Sequence, residues 1–154
     1  MSQTTKIVLI VVGIVVGVIV LAIIVISILA TISLSALNSA RTKASDSSVK
    51  ANMNNISAQA AIYYDSNNGG YGDMVSLCTK GVFSDPAIAN QLDQAIVSSA
   101  IGAHSYCSTD DKGQNFAVIV GPLKSNPTNY WCVDSLGSRR IVTTTAFTNA
   151  GICP

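Results

Sequence analysis

The residues with the most specific chemistry in this chain are four cysteines and one histidine. Cys78, Cys107, Cys132 and Cys153 all lie in its last half, and His104 stands three residues before Cys107. Thiols and imidazole together serve zinc ligation or a Cys–His nucleophile. Zinc calls for paired spacings or several histidines, and the chain has no CxxC and a single His. An even number of well-spaced cysteines in a small domain instead fits two disulfides in an oxidising compartment. Four cysteines allow three connectivities, and free buried thiols are the alternative to all of them. His104 would act as a general base only beside a nucleophile and an orienting acid. With Cys107 taken up in a bridge, no catalytic residue and no metal ligand are expected.

All eight acidic residues are Asp, and the chain has no Glu. The run Asp65-Ser66-Asn67-Asn68-Gly69-Gly70-Tyr71-Gly72-Asp73 matches positions 1, 3, 6 and 9 of a calcium loop. Position 5 is Gly and position 12 is Ser76 rather than Glu, so a turn that stops a helix is expected instead. Thr109 to Asn115 is expected to be a solvated hairpin turn. Arg139 and Arg140 with Lys124, Tyr130 and Trp131 form the composition of a small patch that stacks single strands. A formal net charge of +1 opposes strong binding of a polyanion, so neither nucleic acid nor a cofactor is expected.

The elements that position these residues belong to a chain of sharply divided composition. Residues 7–37 carry no charge. A spanning helix needs about 20 apolar residues, and this run would be roughly 46 Å long, more than a hydrocarbon core of about 30 Å. A soluble cytosolic enzyme does not carry such a segment. A cleaved secretory signal has a shorter apolar region of about 7–15 residues followed by a small-x-small site. Ser33-Leu34-Ser35 is a poor version of one, and the absence of a nearby Cys excludes a lipoprotein anchor. A single-pass membrane span is expected. Gly13 and Gly17 form a GxxxG, and Ser27, Thr31 and Ser35 continue a row of small residues that lets helices approach closely in lipid. Arg41, Lys43 and Lys50 would weakly place the following region in the cytoplasm. The cysteines argue for the opposite side, and an extracytoplasmic head is the expectation taken here.

No Gly or Pro interrupts Asn38 to Tyr64, where Val49, Met53, Ile56, Ala60 and Tyr63 recur at steps of four and three. This is the stripe of an amphipathic helix, so one helix is expected from about residue 6 to 64. Arg41, Lys43, Asp46, Lys50, Asn52, Asn54 and Asn55 are expected to supply its polar positions. The turn-rich run from Asp65 to Gly70 should end it. Asp85-Pro86 predicts the N-cap and first residue of a short helix with apolar face Ile88, Leu92, Ile96 and Val97. Strand-like runs follow at Asn115–Val120, Asn129–Asp134 and Arg139–Thr145. The fold class is α+β: a long helix packed on a three-stranded antiparallel head. A Cys132–Cys153 bridge would tie the irregular tail to the middle strand, leaving Cys78–Cys107 to pin the loop around the short helix. The organisation expected is a leader at 1–6, a transmembrane helix at 7–37, an amphipathic helix at 38–64 and a head at 65–154.

This order resembles the type IV pilins and the pseudopilins of type II secretion systems. The likeness is closest at Ile28-Leu29-Ala30-Thr31-Ile32 and Leu37-Asn38-Ser39-Ala40-Arg41-Thr42-Lys43-Ala44. Ala60-Ala61-Ile62-Tyr63-Tyr64-Asp65 with Asn68-Gly69-Gly70-Tyr71, and Trp131-Cys132-Val133-Asp134-Ser135 with Gly137, are looser parts of it. The resemblance implies a bacterial membrane-stored filament subunit whose partners are other pilin-like subunits and a prepilin peptidase. Aligned without gaps, the family's processing Gly falls on Gly13 and the cleaved bond on Gly13–Ile14. Its Glu falls on Val18, and residues 7–12 are apolar where the family's leader is charged. Two functions therefore stand side by side. One is a filament subunit; the other is an uncleaved single-pass protein with a pilin-like interaction module.

Overall fold

The computed structural model describes residues 3–73, 76–147 and 150–154, with the side chains of residues 31–35 left out. The chain divides at Arg41/Thr42 into two compact units. Helix α1, Gln3–Ser66, contributes to both. In the first unit every described side chain from residue 3 to 30 is exposed. Gln3–Ala30 is one helix long and apolar enough to cross a membrane.

The second unit is an α+β head. Its elements are the later part of α1, a 3-10 turn at Gly81–Ser84, helix α2 (Pro86–Ser98) and four strands. These are β1 (His104–Thr109), β2 (Phe116–Gly121), β3 (Tyr130–Asp134) and β4 (Arg139–Val142), paired as an antiparallel meander in chain order. Three strands were expected, and four are present among the described residues. The added one, His-Ser-Tyr-Cys-Ser-Thr, is short in β-branched residues and takes its state from pairing with β2, His104 opposite Gly121 and Thr109 opposite Phe116. The last strand ends at Val142 rather than Thr145, where its partner β3 begins at Tyr130.

The stripe on α1 is the floor of the core. Val49, Met53, Ile56 and Ala60 are fully buried and Tyr63 packs at their margin. They meet Phe116, Val118, Val120 and Val133, which alternate onto one face of the sheet as period-two strands require. The opposite face, with Ile119, Cys132 and Val142, is covered by Phe147 and Cys153 of the tail. β2 is buried along its whole length because it is covered on both sides.

Asp46 departs from expectation. It is not a solvated position but is buried, because it lies three residues before Val49 on the same stripe. Its Oδ1 accepts from the Lys124 N–H at 2.8 Å and its Oδ2 from the Ser125 N–H at 3.1 Å. Two backbone donors of the β2–β3 loop thereby find a charged acceptor on the helix. Helix α2 starts as expected: the Asp85 side chain accepts from the N–H groups of Ala87 and Ile88, with Pro86 in the first turn. Its buried face is Ile88, Leu92 and Ala95. Val97 is 75% exposed, against expectation, since Ala95 rather than Val97 turns toward the sheet.

Asp46→Ala should cost the head about 2 kcal/mol, because two backbone donors lose a charged acceptor. Asp93→Ala on the exposed side of α2 should change stability by less than about 0.5 kcal/mol. Denaturant titration of the two variants checks the contrast.

Candidate functional site

The cysteines pair as Cys78–Cys107 and Cys132–Cys153, with no free thiol. The second bridge is one of several ties on the tail. Asp134, only 1% exposed, ends β3. Its Oδ1 accepts from the N–H groups of Leu136 and Ser138 in the following turn. Its Oδ2 accepts from the Cys153 N–H at 3.0 Å. Arg140 Nη2 donates to the Cys153 carbonyl at 2.7 Å, and the Gly151 N–H donates to Ser108 Oγ at 3.1 Å. The sequence marked Asp134 only as the end of a strand. Its buried role needs the tail beside it, and no local pattern carries that.

The turn weighed as a calcium loop and the hairpin turn after β1 are brought together. The Tyr71 N–H donates to the Gly113 carbonyl at 2.7 Å, and Gln114 Nε2 donates to the Gly69 carbonyl at 3.3 Å. Gly113 has φ +63°, and a Cβ there would overlap the Gly72 carbonyl oxygen, so only glycine allows this approach. Between the turns lies a polar cleft of about 210 Å³ edged by Asp73, Asp111 and Lys112. The helix-stop role of the first turn is visible in its hydrogen bonds. Asn67 Nδ2 donates to the Tyr63 carbonyl and the Gly69 N–H to the Tyr64 carbonyl, with Asn68 and Gly69 at positive φ. In the second turn, Asp110 accepts from the Gln114 N–H at 2.6 Å and from the backbone and side chain of Asn115. Partial burial alone would raise its pKa. The donors from Asn115 and Gln114 outweigh it and hold the carboxyl below the usual range. Among the described residues no three His, Cys, Asp or Glu side chains gather in a metal-holding group.

The basic and aromatic residues do not converge. Trp131 packs on the α1 side of the sheet, with Lys50 Nζ 4.9 Å from the centroid of its ring, a cation–π contact. Tyr130 packs with the other face, and Arg140 is bound to the tail there. Lys124 Nζ donates to Ser45 Oγ of α1. Alternation along β3 separates the two rings that a stacking platform would share. His104 is exposed at the start of β1, while Cys107 is buried in its bridge.

Within α1, Gly13, Ile14 and Gly17 are exposed, and a Cβ on either glycine would meet open space. Ser27 Oγ donates to the Ile23 carbonyl at 2.8 Å, which satisfies its hydroxyl within the helix. Thr31 and Ser35 lie outside the described side chains. No protein-family model, curated protein or solved structure matches this chain. The order of a long apolar N-terminal helix and a small antiparallel sheet remains consistent with a pilin-like architecture.

Two outcomes are expected. Cys132→Ser should lower stability by roughly 3 kcal/mol, by opening a loop with sequence separation 21. Lys124→Ala, which loses only an exposed contact, should leave the thermal midpoint nearly unchanged. Tyr71 concerns alkaline pH. Burial first, then the neighbouring Tyr64 and Asp65, raise its pKa. The folded state holds this proton more tightly than the unfolded chain does. The stability this gives is complete below the ordinary tyrosine pKa of about 10 and is lost as pH rises through the raised value. Tyr71→Phe should flatten that alkaline decline in a series of denaturation midpoints.

Proposed function

We propose that this protein is a pilin-like structural subunit. Residues 7–37 would anchor it in the cell membrane, and the disulfide-bonded head would stand on the extracytoplasmic side. The observation that carries this reading is α1 itself. One helix, Gln3–Ser66, begins as an apolar span and ends as the core stripe of an α+β head. An anchor joined without a break to the head's own core suits a subunit that is stored in lipid and bundles through its helix. Gly13, Gly17 and Ser27 give that helix a side on which neighbouring backbones approach closely. The two disulfides suit an oxidising compartment. Nothing in the reading requires catalysis, a cofactor or nucleic acid.

A specific observation favours a second reading. Val18 stands where the resembled family has its Glu, and no Glu exists in the chain. A carboxylate in lipid is costly and is kept where it pairs. Without it, register between subunits lacks a charge pair, as suits an uncleaved single-pass protein whose head is an interaction module.

The intact mass of the protein taken from its native membrane separates the two. A filament subunit is expected to begin at Ile14, and replacing Gly13 by a bulky residue should block that processing. A chain beginning at Met1 or Ser2 overturns processing and leaves the fixed anchor.

A further inference from the structure

The sheet register and the helix contacts give the head two distinct ends. At one end His104 faces Gly121 and Tyr130 faces Val142 across the sheet. The same end meets the start of the head's portion of α1, through Asp46 to Lys124 and Ser125 and through Ser48 Oγ to Ser98 Oγ at 3.0 Å. This end is the base, next to Thr42. At the other end, the tip, Tyr64 of α1 meets Gln114 and Tyr71.

The acids are sorted between these ends, while Lys80, Lys112 and Arg139 stand among them at the tip. Asp65, Asp73, Asp85, Asp110, Asp111 and Asp134 belong to the helix end, turns and cap at the tip. Residues 98–104, 121–130 and 142–147, which form the base loops and the strand ends beside them, contain no acid. The one carboxylate at the base is Asp46, and its oxygens are turned inward onto two backbone N–H groups. Asp93 lies one helical turn back along α2 from Val97. The exposed groups of these base loops are cationic, neutral polar or apolar. Lys43 and Lys124 are exposed, Ile101, at the turn after α2, is fully exposed, and Val97, four residues earlier in the chain, is 75% exposed. An exposed isoleucine on base loops that carry a lysine and no acid matches the boundary of a bilayer, where apolar side chains enter among acyl chains and ammonium groups meet phosphates. The chain also restricts where this surface goes. Lys43 follows Leu37, the last residue of the span read as the anchor, by six positions. Six residues reach at most about 20 Å even when fully extended.

We propose that the base of the head is a lipid-headgroup-binding face, with Ile101 and Val97 entering the interfacial layer and Lys43 and Lys124 meeting anionic phosphates. The tip, with its acids, then points away from the bilayer. This rests on the reading of residues 7–37 as a membrane anchor, and it adds the surface by which the head lies on that membrane.

Hydrogen–deuterium exchange on the full chain in lipid discs tests it. Discs of phosphatidylcholine alone are compared with discs holding about a third phosphatidylglycerol, a mixture chosen to supply an anionic surface. Amides of residues 97–104 and 122–128 should exchange more slowly in the anionic discs, while the tip turns at 65–73 and 109–115 exchange equally in both. Lys124→Ala should raise exchange at the base in anionic discs about fivefold, the factor carried by one cation near such a surface. Ile101→Ser should raise it in both kinds of disc. Equal exchange of the base in the two lipids for the unmodified chain overturns the proposal, whatever the variants do. Rapid exchange of residues 7–37 in both discs would instead overturn the anchor, so the two failures are told apart.

Discussion

The head depends on one stripe of one helix. From Asp46 through Val49, Met53, Ile56 and Ala60 to Tyr63, the steps are three or four residues, and all but the last are buried. Among the described residues no helix other than α2 joins α1 on that face of the sheet. The apolar side of β2 and β3 is sealed by this stripe and by Ile88, Leu92 and Ala95 of α2. The stripe opens with a carboxylate rather than an apolar residue, and that changes how the loop after β2 is held. A charged acceptor receiving two backbone N–H groups is directional, where hydrophobic contact is not. It fixes Lys124 and Ser125 against one turn of α1.

The far face of the sheet is solved differently. The tail has no regular element long enough to bury a face, so it is held by discrete ties: a disulfide, the Asp134 carboxylate, the Arg140 guanidinium and the Ser108 hydroxyl. A head of this size closes only a modest core, and covalent ties are the usual means of completing one. The same ties consume the chemistry that the composition offered. The four thiols are oxidised, the Arg140 side chain is bound to the tail, and the first turn's Asn and Gly residues stop a helix. What remains exposed and unassigned is the surface, and the gathering of its acids toward the tip underlies the membrane-facing reading.

Much of this was legible along the chain. Periodicities of 3.6 and 2, the Asp85-Pro86 cap, the turn cluster at 65–70 and the tail bridge are local or nearly local signals, and each is seen in the structure. β1 was missed because its residues have little strand preference of their own, and its state follows from a long-range partner, β2. Val97 and Ala95 were exchanged because a short helix shows two overlapping apolar rows, and only the surface that it meets selects between them.

Spacing along the chain is enough to set the elements that obey a period: the apolar span, the buried stripe, the capped short helix and the three β-branched runs. These follow from backbone hydrogen bonding and the spacing of apolar side chains, which are properties of neighbours in the chain. That the polar residues Asp46 and Asp134 are buried, and what they hold, is set by long-range packing. Asp46 meets a loop 78 residues away and Asp134 a tail 19 residues away. Packing also decided that the aromatic pair Tyr130 and Trp131 divides between two faces and that the acids gather at one end. Each of these depends on which distant donor, partner strand or loop the fold brings alongside, and that is a property of packing rather than of sequence spacing.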